Sequence, residues 1–390
     1  MHTTRYLIVG GGLTADAACK GIRDVDTEGL ITLVAAEAYP PYARPPLSKA
    51  LWTGTEESSI WRGTETLGVE LRLGRRIVAL DPSAHRATDD RGEVYAYERL
   101  LLATGGHPRR LPFGGDDVIY YRTLDDYRRL RALVSAGARF LVIGGGFIGS
   151  EIAAALAMNG RPVTMVFPEP GIGARIFPPD LSAFVTDYYR ARGVQVLPGT
   201  SVTGIERLGD TVHVTTGDGR VLETEAVVAG LGLEPSTELA EAAGLHVADG
   251  IVVDDRGRVD DHDDVFAAGD VARFPVAALG GTMRVEHEDH AKSHGRLIGA
   301  NMAGADEPYD HLPFFYSDLF ELGYEAVGEL DSRLRTTADW TDVGRAGTVY
   351  YMDDAGRPRG VLLWNLFGRL DTARELILAA RPMHTPQLVG

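Results

Sequence analysis

The chain has 390 residues, a formal net charge of −16 and an apolar content of 44%. This length predicts two or three domains, and the apolar content is ordinary for a globular protein. The negative charge disfavours general nucleic-acid binding, because the phosphate backbone would be repelled. No apolar stretch approaches the length of a membrane span, so no membrane association is expected. A strand pattern begins at once, so no signal peptide is expected and a cytoplasmic location is predicted.

Cysteine and lysine are both scarce. Cys19 is the single cysteine, which excludes an intramolecular disulfide, a Cys-x-x-Cys redox pair and a cysteine-rich zinc site. We expect Cys19 to act as a small buried apolar residue of the first helix. Only three of the 39 Lys and Arg residues are lysines. Together with the wealth of Ala, Gly and Asp, this indicates a GC-rich genome and therefore a bacterial source.

The first glycine motif, Gly10-Gly11-Gly12-Leu13-Thr14-Ala15, follows the apolar run at 6–9 and opens a helix predicted over about 13–24. In a dinucleotide-binding turn, the first glycine makes the tight turn and the second lets the backbone approach a pyrophosphate. The phosphates then lie at the positive end of the helix. The next predicted strand, Ile31–Ala35, ends near Glu37, where an acidic residue is expected to hold ribose hydroxyls.

A second motif repeats this plan. Gly144-Gly145-Gly146-Phe147-Ile148-Gly149 follows the apolar run at 140–143, and the strand Val163–Phe167 leads to Glu169. A carboxylate there favours NAD over NADP, because it would repel a 2′-phosphate and no arginine follows immediately. Two such units in one chain predict two dinucleotide sites, and hence a protein that passes electrons between two cofactors.

Three further predicted strands end in small or acidic residues. The strand at 97–104 ends in Ala103-Thr104-Gly105, the strand at 226–231 leads to Gly232, and the strand at 265–268 leads to Gly269-Asp270. Prolines after Gly105 indicate that the chain leaves one sheet there, so the second dinucleotide unit is predicted to be inserted into the first. Asp270 suits a hydroxyl-rich chain such as ribitol, or else caps the following turn.

From about residue 308 the pattern changes to short alternating strands, at 324–330, 348–352 and 360–364, and a helix at about 371–380. The predicted fold is therefore α/β: two Rossmann-like dinucleotide-binding domains, one inserted in the other, plus a C-terminal α+β cap domain.

Lys49 and Glu151 are a candidate ion pair. Two prolines stiffen the segment Arg44–Lys49, so its cations would be held in fixed directions, although the segment alone also fits a surface loop with solvated cations. Glu151 lies in an otherwise apolar helix and needs a partner. Pairing would fix the surroundings of the redox ring, with a net effect on stability near zero.

The segment 284–291 contains Glu286, His287, Glu288 and His290 and precedes a helix. A metal site here lacks a third convincing ligand, and no metal is predicted. The preferred interpretation is a helix N-terminus whose dipole stabilises negative charge on a reduced ring.

Together these motifs resemble the FAD-dependent pyridine-nucleotide oxidoreductases of the glutathione-reductase fold, over nearly the whole chain. Within that group the chain is most similar to the apoptosis-inducing factors and the oxygenase-type ferredoxin and rubredoxin reductases. The segments that carry the broader resemblance are 44–49, 103–105, 144–151 and 269–270. Those more similar to apoptosis-inducing factors are 284–291, 316–319, 323–326 and 361–365.

The resemblance implies an FAD site and an NADH site. To the FAD site it assigns Gly10, Gly12, Leu13, Thr14, Ala15, Glu37, Arg44, Lys49, Ala103, Thr104, Gly105, Gly269, Asp270, Glu286, His287 and Tyr316. To the NADH site it assigns Gly144, Gly146, Phe147, Ile148, Gly149, Glu151, Glu169 and Gly232.

Four of these residues are the catalytic candidates. The resemblance places Lys49 near the flavin N5 with Glu151 as its partner, and makes Phe147 the aromatic cover of the flavin. It places His287 at the other face of the ring, with Tyr316 where apoptosis-inducing factors have Trp. The implied domains are 1–112 (FAD, first part), 113–238 (NADH), 239–307 (FAD, second part) and 308–390 (cap).

The function implied is transfer of electrons from NADH through FAD to a small acidic iron–sulfur protein, a ferredoxin or rubredoxin. The alternative is a redox sensor of the apoptosis-inducing-factor type, with slow turnover and a stable flavin–NAD charge-transfer complex. A monomer or a homodimer is expected. Two arginine groups are candidates to dock an acidic partner or else belong to solvated helix surface: 109–110 and Arg122, Arg128, Arg129 and Arg131.

Overall fold

The computed structural model describes residues 1–259 and 262–383. The chain divides into two compact units, each built from three separate segments. The first unit comprises Met1–Ala43, Glu57–His107 and Glu234–Pro313. The second unit comprises Arg44–Glu56, Pro108–Leu233 and the described chain from Phe314 onward.

The elements are numbered in chain order. The first stretch contains β1 (His2–Val9), α1 (Leu13–Val25), β2 (Ile31–Ala35), β3 (Val69–Leu73), β4 (Ile77–Asp81), β5 (Arg86–Asp89), β6 (Val94–Leu102) and β7 (Gly106–Pro108). The next contains β8 (Val118–Tyr120), α2 (Leu124–Ser135), β9 (Phe140–Ile143), α3 (Phe147–Met158), β10 (Val163–Phe167), α4 (Pro179–Ala191), β11 (Gln195–Pro198), β12 (Val202–Leu208), β13 (Thr211–Thr216), β14 (Val221–Thr224), β15 (Ala226–Ala229) and β16 (Leu233–Pro235).

The chain continues with α5 (Glu238–Ala242), β17 (Ile251–Val252), β18 (Val265–Ala267), β19 (Ala272–Pro275), β20 (Thr282–Met283) and α6 (Glu288–Met302). The last elements are β21 (Phe314–Leu319), β22 (Leu322–Gly328), β23 (Arg335–Asp342), β24 (Ala346–Met352), β25 (Pro358–Trp364) and α7 (Leu370–Leu378). One-turn 3-10 segments include Pro45–Ser48 and Gly269–Val271.

The first unit is organised around a sheet with the strand order β3-β2-β1-β6-β5-β4, and β18 also pairs with β6. Strands β1, β2, β3, β6 and β18 run parallel, while β4 and β5 are antiparallel additions. Val9 lies beside both Val34 and Leu102, and Leu102 lies beside Ala267. The carboxyl ends of these strands therefore meet at one edge, where ligands bind in open parallel sheets.

Helices α1 and α6 pack together on this sheet. Their backbones approach closely at Gly295 and Gly299, where an added Cβ would overlap the carbonyl oxygens of Thr14 and Ala18. The shared core includes Ile8, Cys19, Ile22, Leu33, Leu101, Phe266 and Ile298. The expected burial of Cys19 is confirmed.

The second unit contains a parallel sheet of order β11-β10-β9-β15-β8 and an antiparallel sheet β12-β13-β14. Ile143 lies between Val166 and Ala229, so the carboxyl ends of β9, β10 and β15 also share an edge. A further antiparallel sheet, β21-β22-β25-β24-β23, carries α7 against β22 and β25. Its buried aromatic residues include Tyr324, Tyr350 and Trp364.

The predicted α/β fold with a C-terminal α+β region is confirmed. Strands β2 and β10 have the predicted bounds, and α7 spans 370–378 rather than about 371–380. Strand β6 begins and ends earlier than predicted, at 94–102, and α6 begins at Glu288, inside the segment 284–291 that was expected to precede it. The domain limits at 112, 238 and 307 stay predictions. Among the described residues, no helix combines the length and apolarity needed to cross a membrane.

Candidate functional site

The first glycine motif forms a tight turn with an open helix N-terminus. Gly10 has φ +135°, and a Cβ there would overlap the Ala103 carbonyl oxygen at the end of β6. Gly12 precedes α1 without a side-chain cap, and a Cβ on it would meet nothing within 4 Å. The first hydrogen bond of the helix runs from the Asp16 N–H to the Gly12 carbonyl oxygen, so the N–H groups at positions 13–15 have no acceptor within the helix and are directed away from its N-terminus. This is an anion-binding geometry.

Asp16 fixes the first turn of α1 to the segment that follows residue 57. Its buried carboxylate accepts hydrogen bonds from Lys20 Nζ at 2.8 Å, Arg62 Nε at 3.1 Å and Thr64 Oγ1 at 2.8 Å. A buried carboxylate needs such donors, because its desolvation is costly. Sequence reasoning missed this group, since Thr64 and Arg62 have no local pattern that links them to α1.

The other predicted residues of the first unit follow the strand ends at the same edge. Glu37 accepts a hydrogen bond from the Tyr42 hydroxyl at 2.6 Å. Thr104 Oγ1 donates to the Ser236 carbonyl at 2.8 Å, which holds the turn at 103–105. The Gly269–Val271 turn directly follows β18 and Ala268, and Gly269 has φ +75°. The parallel register therefore brings these predicted FAD-site segments together with the glycine motif.

Arg284 connects the Gly269–Val271 turn with the start of α6. Its Nη1 donates to the Asp270 carbonyl at 3.2 Å and to Glu286 Oε1 at 2.6 Å. His287 is the N-cap residue of α6 and makes no side-chain cap hydrogen bond. The predicted helix N-terminus is thus present, and it lies within the segment 284–291. Among the described residues, no group of three or more His, Cys, Asp or Glu side chains is arranged to hold a metal ion.

The second glycine motif has the same construction in the second unit. Gly144 has φ +112°, and a Cβ there would overlap the Gly230 carbonyl oxygen after β15. Gly146 is the uncapped N-cap of α3, and a Cβ added to it would again have no neighbour within 4 Å. Gly149 lets α3 lie directly over the Gly144 backbone. Both motifs therefore combine a closed turn with an open helix end.

Glu169 lies after β10 and is paired with Arg175. The Arg175 Nη2 and Nε atoms are 2.6 and 2.8 Å from Glu169 Oε1, and Arg175 is largely exposed. The sequence argument for NADH relied partly on the lack of an arginine next to Glu169. No arginine follows Glu169 immediately in the sequence, but the loop after β10 brings Arg175, six positions further on, back to the carboxylate.

Lys49 and Glu151 form the predicted ion pair, which is confirmed. Lys49 Nζ lies 2.6 Å from Glu151 Oε1, and the exposed side-chain fractions are 14% and 3%. Two hydroxyl groups complete the site: Ser317 Oγ donates to Oε1 at 2.6 Å, and Ser48 Oγ donates to Oε2 at 2.5 Å. Sequence reasoning did not identify these two serines as partners. With three donors, the buried carboxylate is held in one orientation.

The segment that carries Lys49 is fixed by its own backbone. The Leu47 carbonyl accepts hydrogen bonds from Trp52 Nε1 at 2.6 Å and from the Tyr121 hydroxyl. Arg44 Nη1 donates to the Arg122 carbonyl at 3.0 Å. The proline-stiffened stretch is therefore held by hydrogen bonds to the rest of the second unit and is not a solvated loop.

Aromatic rings surround this ion pair. Lys49 Nζ lies 5.2 Å from the centroid of the Tyr316 ring, within the range of a cation–π contact. Phe147, the first residue of α3, packs edge-on against Phe315 with the ring centroids 5.5 Å apart. It also lies 6.3 Å from the Tyr324 ring. The predicted Tyr316 is therefore brought close to the ion pair, and the predicted Phe147 packs against the sheet of the C-terminal region.

The two arginine groups proposed for docking are largely engaged within the second unit. Arg110 lies over the Tyr120 ring and Arg131 over the Trp52 ring, at 4.7 and 5.0 Å. Arg129 donates to the Asp116 carbonyl at 2.8 Å. These contacts favour the interpretation of ordinary helix surface over that of a dedicated docking patch.

The open helix ends of both units fit dinucleotide cofactors. At Gly12 and Gly146 the space around a Cβ is empty, whereas the neighbouring glycines at 10 and 144 are closed against backbone. A pyrophosphate needs close backbone approach at the second glycine and a tight turn at the first. Glu37 follows β2 and Glu169 follows β10, each the next strand after a glycine motif, where ribose hydroxyls are held.

Comparison with known proteins gives matches along almost the whole chain. The family model described as pyridine nucleotide-disulphide oxidoreductase matches residues 4–295. A second model, described as apoptosis-inducing factor, mitochondrion-associated, C-term, matches residues 298–347.

The matches to individual relatives also cover almost the whole chain. The mitochondrial apoptosis-inducing factor 1 of Dictyostelium discoideum is 32% identical over 420 residues, with 97% of this chain and 79% of that protein covered. The ferredoxin–NAD(+) reductase component of the anthranilate 1,2-dioxygenase system of Burkholderia cepacia is 33% identical, with 99% and 97% covered. The solved putidaredoxin reductase–putidaredoxin complex contains a chain 32% identical with a TM-score of 0.90, and 98% and 94% are covered.

Proposed function

The chain belongs to the pyridine nucleotide-disulphide oxidoreductases, as an NAD(H)-dependent flavoprotein that uses FAD, and we propose that it reduces a small iron–sulfur protein. FAD supplies the conversion of a two-electron hydride donor into a source of single electrons. The observation that carries the proposal is the pair of open glycine turns at Gly12 and Gly146, one in each unit. Two proteins that match almost the whole chain are named as a ferredoxin–NAD(+) reductase component and a putidaredoxin reductase, and both names support an iron–sulfur acceptor.

The residue roles that we propose are those that the family resemblance assigns, and the geometry within each unit supports them. The turns after β1 and β9 would hold the two pyrophosphates, and Glu37 and Glu169 would hold the ribose hydroxyls. Lys49 would present a fixed positive charge to the flavin, because Glu151 holds its ammonium group. Phe147 would cover the ring until the nicotinamide displaces it, and the α6 N-terminus after His287 would stabilise negative charge. The remaining residues assigned to the two sites in the sequence keep their proposed roles.

A thiol or disulfide acceptor is disfavoured. Cys19 is the single cysteine, it is fully buried, and burial raises the pKa of its thiol. The position between Pro46 and Lys49 is Ser48, and its hydroxyl is used to hold Glu151. No dithiol can form within the chain, so the electrons must leave to a non-thiol acceptor.

A second candidate function is a redox sensor of the apoptosis-inducing-factor type. The match of residues 298–347 to the C-terminal family model favours it. Reductase and sensor differ in how long the reduced flavin persists, which depends on rates. We further propose a cytoplasmic, bacterial protein that is a monomer or homodimer, with the predicted limits at 112, 238 and 307 separating its domains.

The test is an anaerobic titration of the FAD-loaded protein with NADH, followed by addition of small ferredoxins and a rubredoxin. We expect rapid reoxidation of the flavin with stoichiometric reduction of one acceptor. A persistent long-wavelength band that ignores all acceptors would support the sensor instead. The matched control is Cys19→Ala, which should keep the full rate because the thiol takes no part. Loss of acceptor reduction in that variant, with FAD retained, contradicts the non-thiol route.

A further inference from the structure

The Gly269–Val271 turn is held against the first glycine motif of the same unit. Gly269 adopts φ +75°, and a Cβ there would overlap the Thr14 side chain at the start of α1. The turn thus has little freedom on the side of α1. On the side away from α1, the turn is held by a different element.

The residue that holds the turn there is His294, in the second turn of α6. The Gly269 N–H donates to His294 Nδ1 at 3.3 Å, and the imidazole is fully buried. An Nδ1 atom that accepts must be unprotonated, so the ring proton lies on Nε2. Burial keeps the ring neutral, since it lowers the pKa of His294 well below its ordinary range. The acceptor is therefore available throughout the physiological pH range.

His294 projects from a rigid part of the helix. Its neighbour Gly295 lies so close to the Thr14 backbone that an added Cβ would overlap the Thr14 carbonyl oxygen, so α6 packs tightly on α1 at this point. The ring is enclosed by aromatic groups: the centroids of His290, Tyr309 and Phe274 lie 4.7, 4.5 and 5.1 Å away. The side chain consequently has one orientation, which determines where the Gly269 N–H is held.

The other nitrogen of the ring makes no compensating contact. Within residues 1–259 and 262–383, His294 Nε2 is buried without a hydrogen-bond partner. A buried polar group without a partner carries a cost, so an aliphatic residue would suit packing better. The bond to Gly269 is the polar contact that an aliphatic residue could not make.

We propose that His294 is a positioning residue for FAD: it fixes the Gly269–Asp270 turn in the conformation that receives the cofactor. The inference rests on the proposed role of that turn in the FAD site. His294 acts through the Gly269 backbone and is not assigned contact with the cofactor. Without the acceptor, the Gly269 N–H would be buried and unpaired, and the turn would relax away from α1.

Two polar substitutions separate this role from simple packing. In His294→Asn the Oδ1 atom stands two bonds beyond Cβ, as Nδ1 does, and can accept from Gly269. In His294→Gln the acceptor is displaced by one bond, although the side chain is similar in size and polarity. We measure FAD release from the holoprotein by the recovery of free-flavin fluorescence, together with the thermal melting of each variant.

We expect FAD release to accelerate by about tenfold or more in His294→Gln and by less than about threefold in His294→Asn. Ile298→Ala, one turn further along α6, is the matched packing control, which should melt earlier with unchanged FAD release. Equal acceleration in His294→Asn and His294→Gln, or the same acceleration in Ile298→Ala, overturns the proposal. Asp270→Ala tests whether the turn belongs to the FAD site at all. If FAD release is unchanged in both Asp270→Ala and His294→Gln, the assignment of this turn to the FAD site is wrong, and the result does not bear on the role of His294 in holding the turn.

Discussion

The buried His290 imidazole makes the stability of the protein sensitive to mild acid. The pKa of His290 is lowered from an ordinary value near 6.5 to about 3, chiefly by burial and to a smaller extent by His287, although Asp270, a hydrogen bond with the Gly269 backbone and Asp289 oppose the shift. The unfolded chain binds a proton near pH 6.5, whereas the folded chain stays neutral at this site until about pH 3. Between these values the unfolded state holds more protons, so stability falls as the pH falls.

From pH 7 to pH 5 the contribution of His290 to the free energy of unfolding falls by about 2 kcal/mol. Burial also lowers the pKa of His294, which adds a loss of the same sign. His290→Asn removes the titration while its Oδ1 can still bond the Tyr309 hydroxyl, which lies 3.1 Å from His290 Nδ1. The loss between pH 7 and pH 5 should therefore be smaller in this variant by about 2 kcal/mol.

The assay is guanidinium unfolding of the FAD-loaded protein at pH 7, 6 and 5, with FAD in excess. The quantity of interest is the change in unfolding free energy with pH, so a constant offset in the variant does not matter. Ile298→Ala is the control, because it removes buried apolar contacts but no titratable group, so it should lower the stability by the same amount at each pH. Parallel pH profiles for the wild type and His290→Asn would refute the reasoning.

Three further predictions concern the two cofactor sites. Gly12→Ala should fold normally but bind FAD at least about tenfold more weakly, because its Cβ would occupy open space that the pyrophosphate needs. Gly10→Ala should fail to fold, because its Cβ would overlap a backbone carbonyl oxygen. Thermal melting and FAD titration check this pair, and normal FAD affinity in Gly12→Ala contradicts it. Glu151→Ala leaves Lys49, whose side chain is only 14% exposed, without its carboxylate partner and should cost about 3–5 kcal/mol in denaturant unfolding. A loss below about 1 kcal/mol would mean that water replaces the carboxylate. Glu169→Gln should lower KM for NADPH by about tenfold, because it removes the repulsion of a 2′-phosphate and releases Arg175 to bind it. Adding Arg175→Ala to Glu169→Gln should remove the gain in KM for NADPH. If the KM of the double variant equals that of Glu169→Gln alone, Arg175 is excluded as the partner of the 2′-phosphate.

Local sequence was enough to predict the parts of the fold made by neighbouring residues. Each glycine motif lies between an apolar strand and an apolar helix, so the strand–turn–helix order follows from residues a few positions apart. The second strands β2 and β10 have their predicted limits, since each is a short continuous apolar run bounded by polar residues. Even the pairing of Lys49 with Glu151 could be predicted, because a carboxylate in an apolar helix requires a cation.

The helix that begins at Glu288 shows where local patterns lose precision. Its apolar residues predicted a helix, but its first turn contains the polar residues 288–290, which fit a loop or a helix equally well. In the structure, tertiary contacts hold this turn: the His290 ring bonds the Tyr309 hydroxyl, and Asp289 accepts from His311 Nε2. Helix ends depend on tertiary contacts more than helix centres do.

The sequence by itself thus determined the family pattern, the two dinucleotide turns and the central ion pair. Tertiary structure alone decided which hydroxyls share Glu151, which arginine meets Glu169 and which imidazole holds Gly269. Ser317 lies 166 positions from Glu151, and Ser residues have no pattern that distinguishes such a partner from a surface hydroxyl. The physical reason is that a hydrogen bond depends on positions to within tenths of an ångström, whereas a sequence pattern records only periodicity and residue type.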